Sequence, residues 1–405
     1  MSSRLYLVGS GSVSSLGGDA SAVAASYRAG EAASLMVPRS VRGTLIQTAP
    51  LSESAQQVVD KRCRAIPFLA ERDRVVQLAA SAALDAIGAA RAKGVALEER
   101  RVAVVCGSAR GATASLEAEH ARSLSSEGVS VVASPSTTAG IIASTVAQAC
   151  GFSGLSIDTS MTCTSGLHAL LVARALITAG EVDAAVVVGS EAALTPFTLE
   201  QVLALRISPR VELGDPYPCR PFSAEEPPRS RMVLGEGAAA VVVVGGRPSD
   251  SFGSTRSIIK SFGFAAESPP SLTGIGGEGE NFQEAMRRAF VAAACTPRDI
   301  DAVICHAPGT IKGDRAEWHA LRAVFGELLP PLFSTKWLTG HTYGASGLLS
   351  VELAQFLRGG LTPAVPRYAG YGLSDTEITS TPKTVLINAA GFGGNALSLI
   401  ITSDD

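Results

Sequence analysis

Short runs of branched apolar residues recur along the chain and alternate with longer stretches rich in alanine and leucine. Such runs predict buried β-strands and such stretches predict helices, a pattern typical of an α/β fold with mostly parallel strands. Five strands are predicted in each half of the chain. They cover residues 5–8, 102–105, 155–158, 184–188 and 238–244, followed by 257–263, 302–306, 332–335, 384–388 and 396–402.

Two of the predicted helices resemble each other, one from each half. Residues 163–180 read CTSGLHALLVARALITAG and residues 343–360 read YGASGLLSVELAQFLRGG, so that the two Ser-Gly-Leu triplets align. Both helices are apolar around nearly their whole circumference, and a helix of that kind is buried on all sides. With the matching strand order around them, they predict a duplicated chain whose central helical layer is sandwiched between two sheets.

A stretch of turn-forming residues, GGRPSDS at 245–251, predicts a linker between the halves. We therefore expect a first half at residues 1–250, which carries the candidate nucleophile, and a second half at residues 251–405. Two charged segments, at about 40–75 and at 207–232, interrupt the pattern. We expect them to cap the sheets or to pack on a partner.

The composition limits the class of protein. Hydrophobic residues make up 46% of the 405 residues and charged residues only 18%, so much of the surface must be buried inside the chain or against a partner. The net charge of −3 predicts no nucleic-acid binding. No run of about 18 uncharged apolar residues predicts a membrane span. Seven scattered cysteines are typical of free thiols, and we expect a cytoplasmic protein.

Cys163 is the cysteine whose position suggests chemistry. It follows the predicted strand 155–158 and begins the first apolar helix, where the helix dipole favours the thiolate and lowers the pKa of the thiol. A sharp turn from strand to helix would present the sulfur to an incoming acyl group. A buried cysteine is more often a small core residue, and that interpretation is preferred for the other six.

Two of the five histidines are predicted to lie near Cys163. His341 precedes the second apolar helix, so a pseudo-two-fold relation between the halves brings it to Cys163. His306 ends the predicted strand 302–306 and opens on the same side. One thiol and two imidazoles in one cleft suit acyl transfer. No spacing typical of a metal site occurs, so no metal is expected.

The motifs around these residues resemble those of the beta-ketoacyl-ACP synthase family, the condensing enzymes of the thiolase superfamily. They agree in order and spacing along nearly the whole chain: TCTSG at 162–166, CRPF at 219–222, GEGA at 235–238, HAPGT at 306–310 with Asp314 and Glu317, Lys336, Gly340-His341, and NAAGFGGN at 388–395. The resemblance implies an α/β thiolase-like fold, in which duplicated halves form a five-layer α-β-α-β-α sandwich.

The resemblance also implies an acyltransferase reaction. Cys163 would accept an acyl chain from an acyl carrier protein as a thioester. His306 and His341 would assist the decarboxylation of malonyl-ACP and stabilise the enolate, which attacks that thioester. No cofactor is expected beyond the phosphopantetheine of the acyl carrier protein. The expected partners are this carrier protein and a second subunit, in a homodimer or in a heterodimer with another ketosynthase-like chain.

The family's supporting residues map onto this sequence as well. The backbone N–H groups of Cys163 and Phe392 would form an oxyanion hole, and Phe392 would also be the gate between the half-reactions. The remaining matches are Lys336 in the catalytic set, Glu317 and Asp314 as its support, Thr310 for pantetheine binding, and Arg110 and Met232 in the acyl pocket.

Three departures from the family pattern point to a specialised member. Pro308 replaces a residue that carries a hydroxyl in the family, and the segment 223–232 is altered. Arg110 stands where the family has an apolar or small residue, and a charge is costly against an alkyl chain. It is therefore expected to turn away, to pair with an acid or to limit the cavity.

Alternative functions stay open. An elongating 3-oxoacyl-ACP synthase of fatty-acid or type II polyketide-like synthesis is favoured by the intact set of Cys163, His306, His341 and Lys336. A chain-length-factor-like subunit, which pairs with an active ketosynthase, is favoured by the three departures. A degradative thiolase that acts on coenzyme A esters is less favoured, because two histidines and a Gly-Phe-Gly-Gly tail fit decarboxylating condensation better.

Overall fold

The computed structural model describes residues 4–212, 214–246, 257–268, 271, 274–373 and 380–403. Within this part of the chain, ten strands form one sheet and three short strands form another. In chain order the strands are β1 (Arg4–Val13), β2 (Val37–Val41), β3 (Thr44–Ala49), β4 (Val102–Gly107), β5 (Ser156–Thr159), β6 (Ala184–Glu191), β7 (Leu234–Gly235), β8 (Gly237–Gly246), β9 (Ser257–Ala266), β10 (Ala302–Ile304), β11 (Leu332–Phe333), β12 (Val385–Gly391) and β13 (Asn395–Ser403).

The helices fill the segments between these strands. They are α1 (Ala20–Ala29), α2 (Glu53–Ala65), α3 (Pro67–Ala70), α4 (Arg74–Ala92), α5 (Thr113–Ser123), α6 (Ala133–Thr137), α7 (Ile141–Cys150), α8 (Ser165–Thr178), α9 (Pro196–Ala204), α10 (Glu280–Ala293), α11 (Ile311–Phe325), α12 (Lys336–Thr339) and α13 (Ser346–Arg358).

The strand order shows that the chain is duplicated. Outward from the middle of the large sheet, the first half runs β1-β8-β6-β4-β5 and the second half runs β9-β13-β12-β10-β11. In both halves the order is first, fifth, fourth, second and third strand. The halves join where β1 pairs with β9 over two residue pairs, Tyr6 with Ile258 and Leu7 with Ser257. All ten predicted strands of the two halves are present, which confirms the predicted five against five.

The prediction of mostly parallel strands holds inside each half, where four of the five strands run in the same direction and only β8 or β13 runs against them. In each half the two pairs next to the join are antiparallel, β1 with β8 and β8 with β6 in the first half, and only the two outer pairs are parallel. The second half repeats this pattern. The sheet is therefore mixed, because tight connections such as the turn between β12 and β13 reverse the chain.

Five layers follow from the faces of the sheet. Along β1, Leu5 and Leu7 point to the central helices, whereas Tyr6 and Val8 point to the outer helices. The central layer consists of α8 and α13, and its core contains side chains from both halves. Outside it, α4 and α7 cover the first half of the sheet, and α10 and α11 cover the second half. The two halves of the sheet thus enclose the central helices and form the predicted α-β-α-β-α sandwich, although they are joined in one sheet and not in the two sheets predicted.

The two central helices differ in burial. Nearly all of α13 is buried, as the sequence predicts. By contrast, α8 buries one side only, since Leu171 and Val172 are half-buried and Ala175 is exposed. The prediction that both helices are buried on all sides is therefore wrong for α8, whose apolar outer side remains on the surface of this chain.

The two charged segments form a cap over the sheet. Strands β2 and β3 form a hairpin, and β3 pairs with β7, which follows the segment 207–232. Ile46 of β3 bridges Arg210 and packs in the same apolar cluster as Cys163 and Met232. The cap therefore covers the residue that the sequence singles out as a nucleophile.

Helix α4 is long and apolar enough to cross a membrane by these two criteria alone, although no such span is predicted from the sequence. Its side chains Val76, Leu78, Ala82 and Ile87 are buried in the outer core of the first half. The predicted linker begins at the end of β8, and its residues 247–251 lie outside the described residues, as does the expected boundary at 250.

Candidate active site

Cys163 lies in the turn between β5 and α8 and is 8% exposed. Thr162 before it has a φ of 52°, a conformation that a β-branched residue rarely adopts. The Ser165 hydroxyl donates to the Thr162 carbonyl at 2.6 Å, and the Thr164 hydroxyl donates to Asn395 Oδ1 at 2.7 Å. These bonds hold the sharp turn and connect it to the second half of the chain.

Burial determines the protonation of the Cys163 thiol. It raises the pKa of Cys163 to about 12; the positive charges of Lys336 and Arg110 oppose this rise and the Glu191 carboxylate adds to it. The sequence predicts a lowered pKa from the helix dipole. That prediction is wrong because desolvation of the thiolate outweighs a helix end, whose effect is about 0.3–1 kcal/mol. The thiol is therefore protonated at neutral pH.

His306 and His341 face each other next to Cys163. Their ring centres are 5.4 Å apart and the ring planes are nearly perpendicular, at 83°. His341 Nδ1 lies 3.1 Å from the Ser346 hydroxyl at the start of α13. Burial lowers the pKa of both imidazoles well below the usual value, and the Lys336 ammonium lowers both further. Both imidazoles are therefore neutral at pH 7.

A cavity of about 370 Å³ contains the thiol and the two imidazoles. Several residues that the sequence assigns to the site line it: Cys163, His306, His341, Met232, Thr310 and Phe392. Pro308 lines it too, at the position where the family carries a hydroxyl. Among the described residues, no group of three or more His, Cys, Asp or Glu side chains is placed to hold a metal ion.

Glu317 and Lys336 lie buried behind the histidines. The Glu317 carboxylate accepts the backbone N–H groups of His306 at 2.9 Å and Ala307 at 2.6 Å. The Asn388 side chain also donates to it, at 3.3 Å. Burial raises the pKa of Glu317 to about 7 against these donors. Burial also lowers the pKa of Lys336, which the charge of Glu317 opposes. Glu317 thus fixes the loop that carries His306.

Asp314 holds the following part of the same loop. Its carboxylate accepts the N–H groups of Phe222 at 2.6 Å, Gly309 at 3.0 Å and Thr310 at 3.1 Å, and burial raises its pKa to about 7. The Thr310 hydroxyl accepts the Gly313 N–H at 3.3 Å and so caps α11. Asp314 therefore joins the CRPF motif to the HAPGT loop, of which His306, Pro308 and Thr310 line the cavity.

Phe392 lies at the tip of the β12–β13 hairpin, and its side chain is 46% exposed. Its carbonyl accepts the Asn395 amide at 3.1 Å and the Thr162 hydroxyl at 3.4 Å. At Gly391, a Cβ would lie 2.0 Å from Thr162 Oγ1 and 3.2 Å from the Cys163 nitrogen. The hairpin therefore approaches the Cys163 turn as closely as only glycine allows.

The structure places Arg110 outside the lining of this cavity, which differs from its expected place in the acyl pocket. The Arg110 guanidinium donates to the side-chain oxygen of Gln201 and lies 5.8 Å from the ring centre of Tyr343. Within the described residues it pairs with an amide rather than with an acid. Tyr343 lines the cavity, so Arg110 stands behind it.

Sequence reasoning misses Glu191 and Tyr343. The fully buried Glu191 accepts the Ala109 N–H at 2.8 Å and the Gly344 N–H at 3.1 Å, which connects the two halves at the cavity. A single acid at the end of the apolar run 184–191 is the signal that could have found it. Tyr343 carries no comparable signal beyond its position directly after the His341 motif.

Comparisons with known proteins agree with this geometry. The N-terminal domain of beta-ketoacyl synthases matches residues 8–246, and their C-terminal domain matches residues 256–367. The ketoacyl synthase alpha subunit of the tetracenomycin polyketide synthase from Streptomyces glaucescens is 30% identical over 350 residues, covering 80% of this chain and 79% of its own length. A 3-oxoacyl-[acyl-carrier-protein] synthase 2 from Mycobacterium bovis is 32% identical over 192 residues, 46% of this chain and 44% of its own length.

Solved structures share the fold. A beta-ketoacyl synthase from Burkholderia phymatum has a TM-score of 0.83 and 25% identity, covering 99% of both chains. A ketosynthase in complex with its chain length factor from Xenorhabdus doucetiae has a TM-score of 0.80 and 21% identity, covering 99% of this chain and 98% of that chain. With two domain matches spread over most of its length, this chain belongs to the beta-ketoacyl synthase family and has the thiolase-like fold.

Proposed function

We propose that this chain is a 3-oxoacyl-ACP synthase. It condenses an acyl group held on Cys163 with malonyl-ACP, in fatty-acid or type II polyketide-like synthesis. The observation that carries the proposal is the single cavity in which Cys163, His306 and His341 meet. A thiol and two neutral imidazoles supply a nucleophile, a proton acceptor and hydrogen-bond donors in one buried space.

The first half-reaction loads the acyl group. Cys163 Sγ attacks the thioester carbonyl of acyl-ACP, a new S–C bond forms, and the bond to the pantetheine sulfur breaks. The thiol proton passes to that leaving sulfur, with a neutral imidazole of the cavity as the relay. Because burial keeps Cys163 protonated, this transfer has to accompany the attack.

The second half-reaction forms the new carbon–carbon bond. Malonyl-ACP loses carbon dioxide, and the electron pair of the broken bond becomes an enolate that His306 and His341 stabilise by hydrogen bonds. The enolate carbon attacks the Cys163 thioester, and the sulfur leaves and takes up one proton. The products are 3-oxoacyl-ACP, carbon dioxide and the free thiol.

The backbone around Cys163 supports an oxyanion hole. The hairpin tip that carries Phe392 packs directly against the Cys163 turn. The contact is so close that a side chain at position 391 would collide with Thr162. N–H groups of Cys163 and Phe392 are proposed to donate to the thioester oxygen, where one such donor is worth about 10²–10³ in rate. The exposed Phe392 side chain is proposed to be the gate, and Thr310, which also lines the cavity, is proposed to contact pantetheine.

An acyl carrier protein is the proposed partner in both half-reactions. The low charged fraction and the apolar outer side of α8 support association with a second subunit as well. Among solved structures with this fold, one pairs a ketosynthase with its chain length factor and another holds an acyl-carrier protein in complex with its ketosynthase. These complexes support a heterodimer and a carrier-protein partner for this chain.

Intact-mass measurement tests the proposed nucleophile. After incubation with acyl-ACP, the wild-type chain should gain the mass of one acyl group and Cys163→Ala should gain none. Cys219→Ala is the matched control, since Cys219 is also fully buried and burial raises its pKa to about 12. It lies outside the lining of the cavity and should keep the adduct. Absence of an adduct from the wild type with every acyl-ACP would refute the proposal.

Release of carbon dioxide from malonyl-ACP tests the histidines. His306→Ala should abolish this release, because the enolate then loses one of its two neutral donors. His319→Ala is the control, because His319 lies outside the lining of the cavity. Decarboxylation that persists in His306→Ala would contradict the role assigned to His306.

A chain-length-factor-like subunit is the second candidate. The observation that favours it is Pro308, which lines the cavity in place of a hydroxyl. Size-exclusion chromatography with an active ketosynthase distinguishes the two candidates. Co-elution as a heterodimer, together with wild-type chain that stays unacylated, would establish the second candidate in place of the first.

A further inference from the structure

Tyr343 combines a strained backbone with a place on the cavity wall. Its φ of 42° lies in the left-handed region, which bulky residues rarely adopt. The side chain is 8% exposed, and its ring centre lies 5.1 Å from that of His341. The bond from the Gly344 N–H to buried Glu191 holds this segment in place. Strain of this kind persists only where the surroundings impose it, and it clusters at functional sites.

The wall next to Cys163 is otherwise apolar. Cys163 and Tyr343 belong to one buried cluster with Leu199 and Val202 of α9 and with Met232. The hydroxyl of Tyr343 is thus a polar group on an apolar wall. Any acyl group attached to Cys163 lies in the cavity that this wall bounds.

The group behind Tyr343 cannot accept its proton. The Arg110 guanidinium donates to Gln201 and lies 5.8 Å from the ring centre of Tyr343. A guanidinium has hydrogen-bond donors and no acceptor. The O–H proton of Tyr343 is therefore left to donate elsewhere, and what it requires from a ligand is an acceptor.

We propose that Tyr343, held by Arg110, selects acyl groups that carry an oxygen acceptor, such as a 3-oxo group, over saturated acyl groups of the same length. This inference rests on the proposed function, since it concerns the acyl group on Cys163. A 3-oxo oxygen accepts a hydrogen bond from the Tyr343 hydroxyl. A saturated chain leaves that donor without a partner in an apolar wall, and sites built around a hydrogen bond reject such analogues.

A pair of thioesters of equal chain length tests the selection. Acetoacetyl-pantetheine and butanoyl-pantetheine differ by one oxygen, and the rate at which each acylates Cys163 is measured by intact mass. Tyr343→Phe should lower the acetoacetyl-to-butanoyl rate ratio by about threefold to tenfold relative to wild type, as expected for one hydrogen bond. Comparing ratios removes the intrinsic difference in reactivity between the two thioesters.

Arg110 is a positioning residue in this proposal, and a double variant tests that role. Arg110→Leu should also lower the ratio, and Arg110→Leu combined with Tyr343→Phe should lower it no further than Tyr343→Phe alone. Tyr368→Phe is the matched control. The Tyr368 hydroxyl donates to the Pro221 carbonyl at 2.6 Å, and Tyr368 does not line the cavity, so the ratio should stay at the wild-type value.

The outcomes separate this inference from the proposed function. If both thioesters acylate Cys163 and the ratio is the same in wild type and in Tyr343→Phe, the selection is overturned while the proposed function stands. If neither thioester acylates the wild-type chain, the same two acyl groups are presented on an acyl carrier protein; absence of an adduct from every acyl-ACP overturns the proposed function and this inference with it. Should Tyr343→Phe fail to fold, Arg110→Leu alone decides, since an unchanged ratio there also overturns the selection.

Discussion

Replacing Glu352 with glutamine should stabilise the protein above pH 7 and change little at pH 5. Glu352 lies on α13 in the central layer and is 4% exposed. The hydroxyls of Ser12 and Tyr27 lie near it, and neither has a hydrogen-bond partner among the described residues. Its Oε2 atom has no hydrogen-bond partner among the described residues. A charge at this position is therefore poorly compensated, whereas a neutral amide of the same shape is tolerated.

The magnitude follows from the pKa of the carboxyl. Burial raises the pKa of Glu352 from 4.5 to about 7, against the effect of Ser12. The folded chain holds this proton more tightly than the unfolded chain does. Glu352 therefore costs no stability below about pH 4.5, the cost grows between pH 4.5 and 7, and it is constant above pH 7. At about 1.36 kcal/mol for each unit by which the pKa is raised, the full cost is about 3 kcal/mol. This is a large part of the free energy of unfolding of a typical protein, which is roughly 5–15 kcal/mol.

Urea unfolding at pH 5, 7 and 8.5, at one protein concentration, measures this cost. The free energy of unfolding of Glu352→Gln should exceed that of wild type by about 2–3 kcal/mol at pH 8.5 and by much less at pH 5. The exposed Glu99 offers the control, since Glu99→Gln should stay within about 0.5 kcal/mol of wild type at each pH. A difference between Glu352→Gln and wild type that does not grow with pH would refute the reasoning.

Three further substitutions probe the close contacts of the site and its surroundings. Gly391→Ala should slow acylation of Cys163 by about 10²-fold or more, because the new Cβ lies 2.0 Å from Thr162 Oγ1 and displaces the hairpin tip; a wild-type rate by intact mass contradicts this. Asp314→Asn should lower the free energy of unfolding in urea by about 1–3 kcal/mol, since an amide cannot accept all three N–H groups; unchanged stability contradicts this. Arg231→Met should lower the free energy of unfolding by about 3–5 kcal/mol, because Arg231 is 3% exposed and pairs with Glu225 at 2.7 Å. A loss below 1 kcal/mol contradicts this.

Matched controls exist for the glycine and the arginine. Gly88 lies within α4, and a Cβ added there would meet nothing within 4 Å. Gly88→Ala should therefore stabilise the chain by about 0.5–1 kcal/mol and leave acylation unchanged. Arg91 forms an exposed pair with Glu98. Arg91→Met should therefore cost less than about 1 kcal/mol, because water screens such pairs.

Most of the strands could be predicted because they are runs of residues buried on both faces of the sheet. Strand β6, predicted at 184–188, is fully buried over Ala184–Glu191. Which strand of each half runs against the others could not be read from such runs, since it depends on the connections between strands. The three residues 392–394 reverse the chain between β12 and β13, whereas β4 and β5 need a long crossover and are parallel.

The part of the candidate site that follows from the duplication of the chain could be predicted from the sequence. Cys163 and His341 stand at equivalent helix starts, and the structure brings both into one cavity. The pKa of Cys163 was not predictable, because it depends on how deeply the cap segments bury the thiol. The contact of Arg110 with Gln201 was not predictable either, since packing in three dimensions joins residues that are 91 positions apart.

The buried charge of Lys336 constrains how the proposed reaction begins. It lowers the pKa of Cys163, which makes the thiol a better acid, and it lowers the pKa of His306 and His341, which makes both imidazoles weaker bases. An ion pair of thiolate and imidazolium gains little from Lys336, since the ammonium attracts the thiolate but repels the imidazolium. The proton of Cys163 must leave as the bond from sulfur to the acyl carbon forms, and it ends on the sulfur that departs. Burial, and after it the charge of Lys336, keeps both imidazoles neutral between turnovers, which is the state in which the proposed decarboxylation needs them.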